Sequence, residues 1–273
     1  MGGMPVRQPF PTARVQQIDP FLLLHHADIK VPVDIDPDHG GVGPHPHRGF
    51  SPVTFIFKGG VHHRDSRGND NVIYEGGAQW MNAGMGVIHS ERPPHDIQER
   101  GGRQEIIQLW INTPGKYKME QPAYYPLSAE KTPTGQFDDG KVSIHVFSGN
   151  VLNLKGPIPS HTEVNAATLT LKKDGKISIP LPSDHNAFIY LLDGKISVDG
   201  FGFVEALHTV LFNQDGEGIT INALEDTRIL LMTGKPLNEK VVSHGPFVMN
   251  NQTEILEAMR DYQIGKMGVL IEN

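Results

Sequence analysis

Cysteine is absent from the 273 residues. Disulfides, thiolate metal sites and a cysteine nucleophile are thereby excluded, and the chain suits a reducing compartment. Long apolar runs are missing too: Phe21-Leu-Leu-Leu24 stops after four residues, against the roughly 20 needed to span a bilayer. Met1-Gly-Gly-Met-Pro-Val-Arg7 has no apolar segment of a secretion signal. Val6 stands where an N-myristoylation motif wants Ser or Thr. Basic runs are lacking, and 24 Lys+Arg against 31 Asp+Glu give a net charge of −7, which argues against direct contact with nucleic acid. The expectation is a cytoplasmic chain with no membrane partner. Nucleotide and hydrolase signatures are also missing. Gly84-x-Gly86 begins like a dinucleotide fingerprint, but His89 replaces the third glycine and no helix follows. There is neither a Walker loop nor a Gly-x-Ser-x-Gly elbow. Asp34-Ile-Asp36-Pro-Asp38 imitates a calcium loop, but His39 and His45 stand where that loop needs Gly and Glu.

Glycine (30) and proline (21) are abundant, and short runs of β-branched and aromatic residues recur between them. Turn signals every 8–12 residues predict an all-β chain, with strands at 53–57, 61–65, 72–74, 79–81, 86–89, 105–111 and 142–147, and the last at 229–232. Residues 1–44 read as loop-rich, and 112–140 as a linker. One amphipathic helix is predicted over 253–267, from Ile255, Leu256, Met259 and Tyr262 with Thr253 as N-cap.

Two dyads carry the chemistry. His45-Pro46-His47 and His89-Ser90-Glu91 each place metal-competent side chains two residues apart. On a strand, i and i+2 share a face. Two such claws opposed inside a sheet would supply three imidazoles and a carboxylate, a set that holds a divalent metal and can leave positions open. His25-His26 and His62-His63 are adjacent and cannot chelate together on a strand, so both pairs read as polar strand surface. His95 reads as loop surface. His145, His161, His185, His208 and His244 lack a partner at claw spacing and read as structural.

The two halves overlay. His45 to Gly60 and Ile179 to Gly194 both span 15 residues. Gly84-Met-Gly86-Val-Ile-His89-Ser-Glu91 matches Gly216-Glu-Gly218-Ile-Thr-Ile221-Asn-Ala223. The four dyad residues then fall on Ile179, Leu181, Ile221 and Ala223, as in a duplicated barrel that keeps a metal in one copy only.

The stretches Asp19-Pro-Phe-Leu-Leu-Leu24, His45-Pro-His-Arg-Gly-Phe50, Gln79-Trp-Met-Asn-Ala-Gly-Met-Gly-Val-Ile-His-Ser-Glu91 and Gly245-Pro-Phe-Val-Met-Asn250 resemble the pirin family of the cupin superfamily. The resemblance spans nearly the whole chain, in family order. It implies an all-β bicupin of two antiparallel β-barrels with a short C-terminal helix. The divisions are 1–135 for the metal-binding barrel, 136–245 for a barrel without ligands and 246–273 for the tail. It implies His45, His47, His89 and Glu91 as ligands of one divalent metal, usually iron(II). Manganese, cobalt, nickel, zinc and copper are compatible with the same donors. Ser51, where the family often has Glu, is a departure outside the ligand set. The implied activity is that of quercetin 2,3-dioxygenase, on a flavonol-like substrate and O2, with Glu91 as general base. Val53, Phe55 and Phe57 line the substrate pocket if they share the parity of His47. The alternative is an iron-dependent, redox-responsive regulator of a protein partner. A small keto-acid isomerase or decarboxylase is a third reading open to any cupin.

Overall fold

Strand formation follows the β-branched and aromatic runs, and glycines with positive φ mark the turns between them. The computed structural model describes residues 5–36 and 40–272. Met1, Gly2, Gly3 and Met4 of the N-terminal segment, and Pro37, Asp38 and His39 of the acidic stretch, lie outside them. Two units are formed, one from residues 1–17, 21–130 and 238–273, the other from 18–20 and 131–237.

In the first unit the strands are β1 (Arg7–Phe10), β2 (Phe21–Val31), β3 (Val42–His47), β4 (Phe50–Lys58), β5 (Gly60–Asp65), β6 (Asp70–Tyr74), β7 (Ala78–Asn82), β8 (Val87–Arg92), β9 (Gly102–Asn112) and β10 (Ala123–Leu127). A short helix, α1 (His95–Arg100), precedes β9. A six-stranded sheet of order β1-β2-β9-β4-β7-β10 accompanies a four-stranded sheet of order β3-β8-β5-β6. Ala27, Ile56 and Ile106 from the larger sheet meet Val61 and Ile73 from the smaller in a shared core.

The second unit holds β11 (Thr134–Phe137), β12 (Val142–Ser148), β13 (Asn150–Val151), β14 (Leu154–Lys155), β15 (Val164–Leu171), β16 (Lys176–Pro180), β17 (Asn186–Asp193), β18 (Lys195–Val198), β19 (Gly202–Glu205), β20 (Thr209–Phe212), β21 (Gly218–Ala223) and β22 (Thr227–Gly234). Its main sheets run β11-β12-β15-β22-β17-β20 and β16-β21-β18-β19. The chain then returns to the first unit as the hairpin β23 (Val242–His244) and β24 (Phe247–Met249), followed by α2 (Gln252–Gln263).

The duplication expected from the sequence is present in the topology. β2 to β9 repeat as β15 to β22, strand for strand, in both sheets. Gly59 and Gly194 close β4 and β17 with φ of 72° and 77°, each just after a register irregularity. Aligned there, the pair His63–Glu91 corresponds to Val198–Ile221, and His45–His89 to Ile179–Ile219. His89 and Glu91 therefore match Ile219 and Ile221, two residues earlier than the sequence overlay placed them. The glycines anchoring that overlay are not equivalent: Gly84 and Gly86 have positive φ, whereas Gly216 and Gly218 do not.

Three other expectations change. Residues 1–44 contain β1 and the eleven-residue β2, so they are not mainly loop. Residues 112–140 include β10, paired along its length with β7, and the unit boundary falls within them at 130/131. The C-terminal helix is present, but its cap is Asn251, whose side chain accepts the Glu254 N–H at 3.0 Å. Its buried face is Ile255, Ala258 and Asp261, while Leu256 and Tyr262 are exposed. α1 has no apolar periodicity long enough to be read from sequence.

Candidate metal centre

The site grows from the central strand of the small sheet. β8 runs between β3 and β5 and places His89 directly opposite His45 on one side and Asp65 on the other. Glu91, one step along, faces His63. His47 follows His45 by two residues and shares its face. The nitrogens of His45, His47 and His89 come within 4.8 Å of one another, and all three rings are half-buried or buried.

Tautomers follow from the hydrogen bonds. His45 Nδ1 lies 2.8 Å from the Gly43 carbonyl and His47 Nδ1 3.3 Å from the Pro246 carbonyl. A carbonyl only accepts, so each Nδ1 carries the proton and each Nε2 presents a bare lone pair. Those two Nε2 atoms face each other at 3.1 Å. His89 Nε2 is buried with no hydrogen-bond partner. Burial holds His47 and His89 well below 6.5, and His45 below it too, although the Gly43 carbonyl and Glu91 oppose the effect there. Neutral imidazoles with converging lone pairs fit a cation. Two nitrogens in cis positions about 2.1 Å from one ion lie about 3.0 Å apart in an octahedral set and about 3.4 Å apart in a tetrahedral one. The observed spacing is of the size that two imidazole donors to one ion would require.

Glu91 is buried on the same strand but outside that three-nitrogen group. Its carboxylate accepts from Thr54 Oγ1 and Gln108 Nε2, both at 2.6 Å. These donors come from the facing sheet, where Gln79, Thr54 and Gln108 form one cross-strand row. That contact also corrects the expected pocket. Thr54 points at the site, so Val53 and Phe55 alternate to the opposite face of β4, together with Ser51, while Phe57 falls at the register irregularity of β4. Parity does not carry from His47 into β4, because the two strands belong to different sheets and Gly49 turns the corner with φ 86°. Phe50 and Trp110 pack against His47 instead, with ring centroids 5.0 and 5.4 Å away. Trp110 also lines a cavity of about 400 Å³ with Leu22, Leu23, Val248, Gln16 and Gln17.

The adjacent histidine pairs do point to opposite faces, but none of the four is fully exposed and one member of each is buried. His62 is half-exposed against Asp70. His63 is buried beside His89, and His26 is buried 3.4 Å from Glu105. Burial lowers His25 to about 4. His95 is exposed at the start of α1. His63, read from the sequence as polar strand surface, is instead a buried neighbour of His89. Its spacing to Asp65, again i and i+2, was the available signal.

In the second unit the counterparts of His45, His47, Thr54, His63, Gln79, His89, Glu91 and Gln108 are Ile179, Leu181, Ile189, Val198, Val210, Ile219, Ile221 and Leu231 by strand register. All eight contribute to one apolar core. Side chains fill there the space that polar groups surround in the first unit.

A duplicated two-sheet β fold with a polar histidine cluster in one copy defines a two-domain protein of the cupin type. The chain belongs to the pirin family: residues 3–111 match Pirin and residues 166–268 match the Pirin C-terminal cupin domain. A Pseudomonas aeruginosa protein with a provisional quercetin 2,3-dioxygenase name is 34% identical over 97% of this chain and 92% of its own. A pirin-like protein of Caulobacter vibrioides is 36% identical over 93% of this chain and 90% of its own. A crystal structure of quercetin 2,3-dioxygenase from Acinetobacter baumannii, 35% identical, superposes with a TM-score of 0.92 and covers 98% of this chain and 93% of that one. No helix among the described residues is long and apolar enough to cross a membrane.

Proposed function

We propose that the chain is a metal-dependent oxygenase resembling quercetin 2,3-dioxygenase. His45, His47, His89 and Glu91 hold one divalent ion, iron(II) first among the candidates, and the reactants are a flavonol-like compound and O2. The observation that carries the metal reading is the set of bare Nε2 atoms, two of them 3.1 Å apart and the third without a partner. The names of the Pseudomonas and Acinetobacter relatives support the reaction class.

When bound, the metal would supply Lewis-acid stabilisation of a substrate oxygen anion. The chain's own residues account for the rest. Glu91 accepts the proton of the flavonol 3-hydroxyl on a carboxylate oxygen. Thr54 and Gln108 each use one lone pair of that carboxylate and leave others free. Phe50 and Trp110 pack against each other and against the buried His47 ring. Oxygen uptake by metal-free protein reconstituted separately with Fe(II), Mn(II), Co(II) or Ni(II) tests the reading with quercetin as substrate. Quercetin-dependent uptake with at least one metal is expected. Uptake with none of them, in protein shown to hold the metal, overturns the oxygenase reading.

A further inference from the structure

His63 and Asp65 lie outside the proposed ligand set, yet they form a directed chain ending at His89. Asp65 is fixed first. At the end of β5 it accepts, from the turn that follows, the backbone N–H groups of Arg67 (2.9 Å) and Asn69 (3.1 Å) and Asn69 Nδ2 (2.8 Å). Burial pushes its carboxyl upward, but these bonds and the one from His63 outweigh that and keep it below its ordinary range. His63 Nε2 lies 3.1 Å from Asp65 Oδ2. An ionised carboxylate only accepts, so the His63 proton sits on Nε2 and its Nδ1 is a bare acceptor. That Nδ1 lies 3.5 Å from His89 Nδ1. His89 can satisfy it only by carrying its own proton on Nδ1, which leaves its buried Nε2 bare, in a ring 4.4 and 5.0 Å from those of His45 and His47.

The His63 ring has little freedom to turn away. It stacks on Tyr124 with centroids 3.9 Å apart and planes 5° from parallel. Tyr124 is itself held by its hydroxyl, which donates to Gln79 Oε1 at 2.9 Å, and Gln79 Nε2 donates to the Val61 carbonyl. The second unit offers an internal comparison. By the same register His89 becomes Ile219 and His63 becomes Val198, and a count of two residues onward from Val198 sets Gly200 where Asp65 stands. Where the ligand position is apolar, both supports are gone as well.

We infer that His63, oriented by Asp65 and Tyr124, is a positioning residue that fixes His89 in the tautomer whose Nε2 can ligate. The inference rests on the metal reading of the three histidines. Outer hydrogen bonds of this kind typically change metal affinity by about 10–100-fold when removed.

Two measurements test it. Imidazole 15N NMR on the metal-free protein reads the tautomers directly. His89 is expected protonated on Nδ1 and His63 on Nε2; a His89 protonated on Nε2 overturns the inference without any variant. Cobalt(II) affinity by chelator competition is then compared for the wild type, His63→Phe and His63→Gln. Phe keeps the stack on Tyr124 and removes the acceptor, whereas Gln restores one. Binding about 10–100-fold weaker for Phe, with most of it regained for Gln, is expected. Unchanged affinity in a His63→Phe protein that melts normally overturns the inference; if that variant does not fold, the wild-type tautomers decide. A wild type that takes up no cobalt overturns the metal reading instead, and the tautomer result still stands for or against His63.

Discussion

At the scale of single residues, the site depends on which nitrogen of each imidazole carries the proton. Gly43, Pro246 and His63 each engage an Nδ1, so the Nε2 atoms of His45 and His47 are left facing each other and that of His89 is left buried without a partner. The carboxylate beside them is held as tightly. Gln108→Leu, which installs the residue found at the equivalent position of the second unit, removes one donor from buried Glu91. A loss of about 1–3 kcal/mol of stability is expected in urea denaturation, with slower oxygen uptake by the loaded protein. Ile221→Ala probes the corresponding place in the second unit, where the side chain is fully buried. It should cost roughly 2–5 kcal/mol through lost packing and leave the metal content per chain unchanged. The dyads were legible in the sequence because strand periodicity is fixed by backbone geometry. Thr54, Gln79 and Gln108 were not, since nothing in their own strand segments says which residues the facing sheet will bring opposite them.

Among the elements, the corner between β3 and β4 carries the chain from the small sheet to the large one immediately after His47. A Cβ at Gly49 would lie 2.1 Å from the Val248 carbonyl, and the position has φ 86°, so both the backbone and its neighbour forbid a side chain. Gly49→Ala is expected to lower the melting temperature and weaken metal binding together, because His47 sits immediately before the corner. Melting curves with and without metal separate the two effects. The same corner explains why the pocket could not be read by counting along the chain: alternation holds within a strand and is reset where the chain changes sheet. The C-terminal helix shows a related limit. Its existence and approximate span were evident from apolar spacing, but Asp261 occupies its buried face because Arg48 reaches it at 3.0 Å, a long-range partner invisible to local periodicity.

For the molecule as a whole, the eight-strand repeat was partly visible in the glycine pattern, and the register shift on β8 shows where that pattern misleads. The first unit also includes the chain's last segment, returned to it by β23, β24 and α2. Burial alone would raise the Asp261 carboxyl, but hydrogen bonds from Lys266, Arg48 and Arg260 override it and bring the group down to about 2 from an ordinary 3.8. A depressed carboxyl contributes stability that is complete above its unfolded value and lost as pH falls through its folded one. Stability should therefore decline between about pH 4 and pH 2, and Asp261→Asn should flatten that part of the acid-denaturation profile. The central claim, one metal centre in the first unit alone, is tested most directly by cobalt(II) titration with metal analysis. One ion per chain is expected for the wild type, and none for a folded His45→Ala, His89→Ala double variant. Equal metal stoichiometry in the two proteins would contradict the account.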